Sequence, residues 1–253
     1  MNQKKFLNNV VLIFGGTSGI GKATAQAFAA QGADVVVVGR REQLGLEVVG
    51  LIEKAGRQGL FVSGDIAREE DVHKVIEASI QEFKRIDIAF NNAGIEGQLG
   101  PLQETTAENI DRVIDINVKG LLYAMKHETR LMLKSGGGCI VNNASVAGHI
   151  GYANAVIYTA SKHAVIGATR AAALELIKQN IRVNAVSPAG IETDMMYRFF
   201  PNRTEREKYA LSHPIGRTGK PEEVAEAVLW LASPGSSFVV GHSLVIDGGY
   251  TAQ

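Results

Sequence analysis

The chain is sparing with several residue types, and each scarcity rules something out. One cysteine in 253 residues, Cys139, leaves no intrachain disulfide to be made. It follows Gly136-Gly137-Gly138 and opens the apolar run Cys139-Ile140-Val141, the setting of a buried strand thiol. No net charge is left over: 26 basic residues face 26 acidic ones, so no strong field invites nucleic acid or an anionic membrane. The six histidines show no metal-ligand spacing. Long hydrophobic runs are missing as well. The first apolar stretch, Val10 to Phe14, is too short for the core of a signal peptide. No run approaches the roughly 18 apolar residues of a membrane helix. The expectation is a reduced, cytoplasmic protein with no nucleic-acid partner, membrane anchor or metal.

What the chain does have is glycine, 28 of them, clustered where turns belong. Short β-branched runs alternate with longer helical patterns: Val10–Phe14, Val35–Val38, Leu60–Val62, Ile86–Phe90, Cys139–Asn142, Ile181–Val186 and Leu244–Ile246 read as strands. Helical spacing fills Lys22–Gln31, the stretch to Lys54, Val72–Phe83, Thr106 to about Lys134, Ala155–Lys178 and Pro221–Ala232. Such alternation predicts an α/β fold: one doubly wound, Rossmann-type domain with a mostly parallel seven-stranded sheet and helices on both faces. Residues 190–219 read as irregular chain beside a strand end, a candidate substrate lid. Arg203 to Lys208 reads as a solvated helical face.

Two patterns carry chemistry. The turn Gly15-Gly16-Thr17-Ser18-Gly19-Ile20-Gly21 follows the first strand and opens a helix. There the main chain can approach a pyrophosphate closely, and free helix N–H groups can meet its oxygens. Tyr158 and Lys162 stand four residues apart, one turn along one helix face, with Ser145 thirteen residues upstream of the tyrosine. An ammonium so placed is expected to favour the phenolate and lower the tyrosine pKa from about 10. Together they point to hydride transfer coupled to proton transfer.

These patterns, with Asp65-Ile66, Asn91-Asn92-Ala93-Gly94, Asn117 and the run Pro188 through Thr193, resemble the short-chain dehydrogenase/reductase family over nearly the whole chain. The resemblance implies a catalytic tetrad. Tyr158 would be the general acid in reduction and the base in oxidation. Lys162 would tune it and hold the nicotinamide ribose. Ser145 would bind the substrate oxygen, and Asn117 would hold a helix kink and an ordered water. It also implies cofactor contacts from Gly15, Ser18, Gly19, Ile20 and Gly21, from Asp65 and Ile66 around adenine, and from Asn91, Ala93 and Gly94 near the ribose. Pro188, Ile191 and Thr193 would face the nicotinamide, alongside Tyr158 and Lys162. A homotetramer is implied, built on the helices after Thr106 and Ala155 and on the last strand. The chain departs from the family at Phe14, where threonine is usual, and at Ala189, where glycine is usual.

Cofactor choice can be read from residues. An NAD binder wants a carboxylate about 20 positions past the glycine turn. Here the second strand ends in Gly39-Arg40-Arg41, which suits the 2′-phosphate of NADP through Arg40 with help from Arg41. Ser18, where many NADP-preferring relatives carry a basic residue, argues the other way and keeps NAD as the alternative. His149, just past Ser145, is a candidate for the substrate pocket or for a solvated loop. Met195, Met196, Tyr197, Phe199 and Phe200 crowd the candidate lid and favour apolar or aromatic ketones over sugars. Two rival functions remain: reduction of a 3-oxoacyl thioester on a carrier protein, and non-catalytic dinucleotide binding.

Overall fold

Strands buried on both faces need apolar side chains on both faces, and that is how the central strands of this chain are written. The computed structural model describes residues 4–253. The strands are β1 Val10–Phe14, β2 Asp34–Gly39, β3 Gly59–Ser63, β4 Ile88–Asn91, β5 Gly138–Asn143, β6 Ile181–Pro188 and β7 Ser243–Ile246. Every residue of β1 and β4 is buried. All seven strands run parallel, in the order β3-β2-β1-β4-β5-β6-β7. The fold class read from the sequence is the one observed.

Nine helices are described: α1 Gly19–Ala30, α2 Glu42–Lys54, α3 Glu69–Phe83, α4 Ala107–Ile114, α5 Gly120–Ser135, α6 Val156–Leu176, α7 Asp194–Phe199, α8 Arg203–Leu211 and α9 Pro221–Ala232. Alternate strand residues divide the core into two layers. Val10, Leu12 and Phe14 of β1 pack with Val72 of α3, Met125 of α5 and Val165 of α6. Val11 and Ile13 pack with Phe28 of α1, Val48 of α2 and Val228 of α9. Burying one such side chain is worth roughly 1.5–3 kcal/mol, so each layer holds its helices firmly to the sheet. Cys139 lies in the second layer, its thiol pushed up to about 11 by burial, as a buried strand thiol should be.

The strand order reverses at β1, which lies between β2 and β4. Chain leaving β1 and chain leaving β4 pass to opposite faces, and a crevice opens between them at the C-terminal strand ends. Three departures from the sequence reading shape that crevice. Helix α1 begins at Gly19, three residues before the expected start, because glycine carries no apolar side chain to mark periodicity. The long helix expected from Thr106 is broken: α4 and α5 are joined by one π-helical stretch, Asp115–Lys119. The stretch expected to be irregular, 190–219, holds α7 and α8 and closes on itself with a bridge between Ile191 and Gly219. Helix α8 carries the helical face read at Arg203 to Lys208, while α7, six residues long, is too short for periodicity to reveal. Their caps are local, Asn202 accepting from Thr204 N–H and Arg203 donating to Glu207 one turn on. Among the described residues no helix is long and apolar enough to cross a membrane, and no group of three His, Cys, Asp or Glu side chains could hold a metal ion.

Candidate active site

At the end of β1 the chain turns on Gly15, whose φ is +76°, a conformation that side chains resist. A Cβ there would sit 2.8 Å from Ala93 N, and one on Gly21 would sit 2.1 Å from Gly15 O. The turn is therefore packed main chain against main chain. Ser18 precedes α1 in extended conformation without a side-chain cap, and no acidic residue occupies the helix's first turn. That end is left to attract an anion. Around it opens a cleft of about 800 Å³, lined by Gly15, Ser18, Gly19, Ile20, Arg40, Arg41, Asp65, Ile66, Ala93, Gly94 and Thr193 among others. Its size, its glycine floor and its free helix end fit a nicotinamide dinucleotide.

Two of the anticipated cofactor residues sit elsewhere. Gly21 lies behind the turn and acts by letting the helix approach. Asn91 points away from the cleft, because consecutive strand residues face opposite sides of a sheet. Its Nδ2 donates to Glu128 Oε2 and to Asn142 Oδ1, both at 3.0 Å, in the buried layer under α5. Asn142 donates in turn to Thr169 Oγ1 of α6 at 2.9 Å. Burial pushes the Glu128 carboxyl up to about 8, so it is protonated in the folded protein at neutral pH.

The neighbours of these asparagines do face the cleft. Asn92 Nδ2 donates to Gly15 O at 2.8 Å, and Asn143 Nδ2 donates to Asn92 Oδ1 at 2.8 Å. Asn143 O then accepts from Lys162 Nζ at 2.8 Å. A line of asparagine thus runs from the glycine turn to the lysine. Sequence reading assigned neither residue a role. The signal was there in the doublets Asn91-Asn92 and Asn142-Asn143 at two adjacent strand ends.

Helix α6 carries Tyr158 and Lys162, 9% and 4% exposed. The loop holding Ser145 lies on this helix because Gly148 lets it: a Cβ there would come within 2.8 Å of Lys162 O. Ser145 Oγ accepts from Ala147 N–H at 3.2 Å and lies 3.4 Å from Pro188 O. Asn117 sits inside the π-helical stretch. Its Oδ1 accepts from Ile95 N–H and its Nδ2 donates to Ile95 O, both at 2.8 Å, with a further bond to Ser161 Oγ at 3.0 Å. The extra residue of the π turn aims Asn117 at the loop after β4 and at α6 together.

The electrostatics correct one expectation. Lys162 Nζ lies 5.6 Å from the centre of the Tyr158 ring, but the phenol is not acidified: burial pushes it up to about 12, with Ser145 pulling the other way. Lys162 is itself lowered to about 8 by burial. Both charged forms are penalised by the same enclosure, and that outweighs their mutual attraction here.

A second, smaller cavity of about 110 Å³ opens beside these groups and joins the cleft at Ile20, Asn92, Gly94 and Thr193. Ser145, Tyr158 and Lys162 line one part; Met195, Met196, Phe199, Phe200, Tyr152 and Tyr209 line the rest. Pro188 and Ile191 are on its wall, and Ala189 continues the β6 pairing by donating to Ile246 O at 3.1 Å. The segment 190–219 does lie over the site: the Phe199 ring centre is 5.6 Å from that of Tyr158, and Arg198 pairs with Glu96 across the cleft mouth. Thr193 reaches the glycine turn, since a Cβ on Gly19 would meet its Cγ2 at 3.0 Å. Tyr197 points outward under Arg206 and lines neither cavity. His149 lines neither one; its Nε2 is bonded to Ser187 Oγ at 3.2 Å and Ser243 Oγ at 3.0 Å.

Comparison with known proteins agrees with this arrangement. A family model described as enoyl-(acyl carrier protein) reductase matches residues 15–251. Cyclohexanol dehydrogenase of Acinetobacter sp. strain SE19 is 42% identical over 249 residues, covering 98% of this chain and 97% of that one. Cis-4-hydroxycyclohexanecarboxylate dehydrogenase of Sinomonas cyclohexanicum is 39% identical over 247 residues, with 98% of each chain covered. The crystal structure of levodione reductase superposes with a TM-score of 0.95 at 35% identity, covering 98% of this chain and 99% of the other. Similar solved structures include a 3-ketoacyl-(acyl-carrier-protein) reductase from Brucella melitensis with NADH (TM-score 0.92, 34% identity, 97% and 99% covered) and a xylitol dehydrogenase with NAD+ (0.93, 32%, 97% and 100%). This chain belongs to the short-chain dehydrogenase/reductase family, oxidoreductases built around a nicotinamide dinucleotide.

Proposed function

We propose that the protein interconverts a secondary alcohol and a ketone on a small alicyclic ring, using NADP(H). The observation that carries this reading is the meeting of Ser145, Tyr158 and Lys162 in a cavity of about 110 Å³ that Met195, Met196, Phe199 and Phe200 also line. An apolar cavity of roughly 150 Å³ holds benzene, so a space of this order suits one six-membered ring. Relatives named for cyclohexanol and for a hydroxycyclohexanecarboxylate support the same substrate class.

The bound nicotinamide supplies or accepts the hydride. Everything else falls to side chains. Ser145 Oγ donates to the substrate oxygen. Tyr158, neutral because its pKa is held near 12, delivers the proton to that oxygen in reduction. In oxidation it must first lose its proton, so oxidation is expected to quicken as pH rises above 7 while reduction does not. Lys162, held by Asn143 O and by enclosure, stays a cation at pH 7 and offers the compensating charge when Tyr158 Oη turns anionic. The Asn92–Asn143 line keeps that lysine in register with the glycine turn.

The preference for NADP rests on the end of β2. No carboxylate stands there; Arg41 Nη2 donates to Ser18 Oγ at 2.6 Å, and Arg40, 59% exposed, lies 3.5 Å from Asp65. Two guanidinium groups at the adenosine end of the cleft suit a 2′-phosphate. The thioester reading is weaker. Lys162 is the sole cation lining the substrate cavity among the described residues, and Arg198 at the mouth is already paired with Glu96. The non-catalytic reading leaves the meeting of all four tetrad residues without a purpose.

A homotetramer is the assembly we favour, because Leu174 of α6, Trp230 of α9 and Phe238 beside β7 expose large apolar surface. Light scattering that gives a monomer at micromolar concentration would overturn it. The decisive test of function is turnover of cyclohexanol with NADP+, set against glucose and a 3-oxoacyl thioester with NADPH. Higher kcat/KM on either rival substrate overturns the reading.

A further inference from the structure

The far wall of the substrate cavity is polar, and the chemistry at Ser145 and Tyr158 makes no use of it. Tyr152 and Tyr209 both line the cavity. Their hydroxyls are near neighbours, each shifting the other's acidity. Neither has another partner among the described residues. Each phenol is both donor and acceptor, so even a bond between the two would leave one O–H and lone pairs for a ligand. A half-buried tyrosine normally finds a partner for its hydroxyl, and here the cavity is where that partner must come from.

The pair is fixed in place. The Tyr209 ring stacks on Phe200 with centres 4.5 Å apart and is met edge-on by His213 at 4.9 Å and Tyr250 at 6.0 Å. Its near edge fits only because residue 190 is glycine: a Cβ there would sit 2.5 Å from Tyr209 Cε1. Tyr152 is held edge-on to Phe199 at 6.4 Å, and the same ring meets Tyr158 edge-on at 5.6 Å. The cavity lining thus joins the reacting groups Ser145 and Tyr158, the apolar Phe199, Met195 and Met196, and a second pair of polar groups, Tyr152 and Tyr209. Lys162, at the reacting end, is its sole lining cation among the described residues.

We propose that Tyr152 and Tyr209 form a distal subsite that binds a neutral oxygen substituent across the ring from the reacting carbon. The preferred ligand is then a ring carrying two oxygens in a 1,4 relation, such as a cyclohexane-1,4-diol or a 4-hydroxycyclohexanone. One of the two hydroxyls donates to the far oxygen, and the other accepts where that oxygen carries a proton. A carboxylate at the same place meets no cation and is disfavoured by the loss of its hydration. This inference rests on the ring-alcohol reading of the cavity.

The test compares kcat/KM for cyclohexanol, cyclohexane-1,4-diol, 4-methylcyclohexanol and 4-hydroxycyclohexanecarboxylate. Wild-type protein and the variants Tyr209→Phe, Tyr152→Phe and Gly190→Ala are assayed in parallel. In the wild type the diol is expected to exceed the methyl analogue by about tenfold, the scale of one buried hydrogen bond. The carboxylate should trail the diol. Each phenylalanine variant should bring the diol-to-methyl ratio toward one, and Gly190→Ala should lower it by displacing the Tyr209 ring. A wild-type ratio near one, or a ratio unmoved by both phenylalanine variants, overturns the subsite while turnover of cyclohexanol keeps the parent reading. Wild-type protein inactive on every ring alcohol, in a preparation that binds NADPH, overturns both.

Discussion

At the dinucleotide end of the cleft the walls are largely main chain: Gly15, Gly19, Gly64 and Gly94 all line it. At the substrate end they are side chains, with Tyr152, Tyr158, Phe199, Phe200 and Tyr209 gathered from three separate stretches. The first end turns on positions such as Gly15 and Gly19, whose positive φ resists any side chain, so few sequences satisfy it. The second is built from side chains that can be exchanged one at a time while the fold stays intact. One end thus sets the class of reaction, and the other sets which molecule undergoes it.

The sharpest way to separate the two ends is Tyr158→Phe. The lost hydroxyl faces the substrate end, so turnover should fall by about two to four orders of magnitude while NADPH affinity by fluorescence titration stays within a few-fold. Activity above a tenth of wild type would remove Tyr158 from the acid–base role. A smaller effect is expected at the other end. Replacing Arg40 and Arg41 together by alanine should lower kcat/KM with NADPH by roughly 10–100-fold and leave NADH nearly untouched. The arginines are better targets than Gly39, because a Cβ at Gly39 would press on Thr17 Cγ2 at 2.7 Å and disturb the turn itself. Equal losses with both cofactors would break the assignment of the guanidinium groups to a 2′-phosphate.

Below both ends lies Glu128, and it sharpens the comparison by touching neither. Its folded pKa, raised from 4.5 to about 8, means the folded protein holds a proton that the unfolded chain releases. That contribution is complete below pH 4.5 and fades as pH rises through 8. Glu128→Gln should therefore gain on the wild type by on the order of 2–4 kcal/mol between pH 4.5 and pH 9 in urea unfolding. A difference that does not change with pH would mean the carboxyl is not held protonated. Lys162→Met should show a smaller effect of related origin. The wild-type lysine is lowered from 10.5 to about 8, so wild-type stability is expected to rise from pH 8 to pH 10.5 on this account, and the variant should lack that rise. At pH 7 the inactive variant should be the more stable by about 1–3 kcal/mol, read by thermal unfolding.

Most of the fold was legible because doubly buried strands announce themselves: Val35 to Val38 leaves no other reading. The glycine turn, Ser145, Tyr158 and Lys162 were legible as spacings and Asn117 through the family resemblance, and the structure gathers them. Asn91 was placed at the cofactor, where the structure puts its neighbour Asn92. A strand-end doublet offers one residue to each face, and the sequence does not say which until the register is known. The pKa of Tyr158 was misread for a similar reason: spacing shows that a lysine is near, but not that both groups are enclosed. Tyr152 and Tyr209 lie 57 positions apart with no shared motif, so only the folded chain brings them together.

The asparagine doublets bear on how the chain reaches its native pairing. Strands β4 and β5 align Asn91 with Asn142 and Ala89 with Ile140. A one-residue slip turns every side chain to the opposite face. Yet such a slip would still show an asparagine to Glu128 and Thr169 below and an asparagine to the cleft above, and the preceding residues are apolar on both faces. Polarity does not tell the two pairings apart. What does is bulk at the other end of the strand, where a Cβ on Gly137 would meet Asn180 O at 2.5 Å and one on Gly138 would meet Met132 Sδ at 2.5 Å. Sliding Cys139 into the seat of Gly138 drives a thiol into that methionine. The native alignment of the two strands that carry the asparagine line is thus favoured by a residue with no side chain, at the end of β5 farthest from the chemistry.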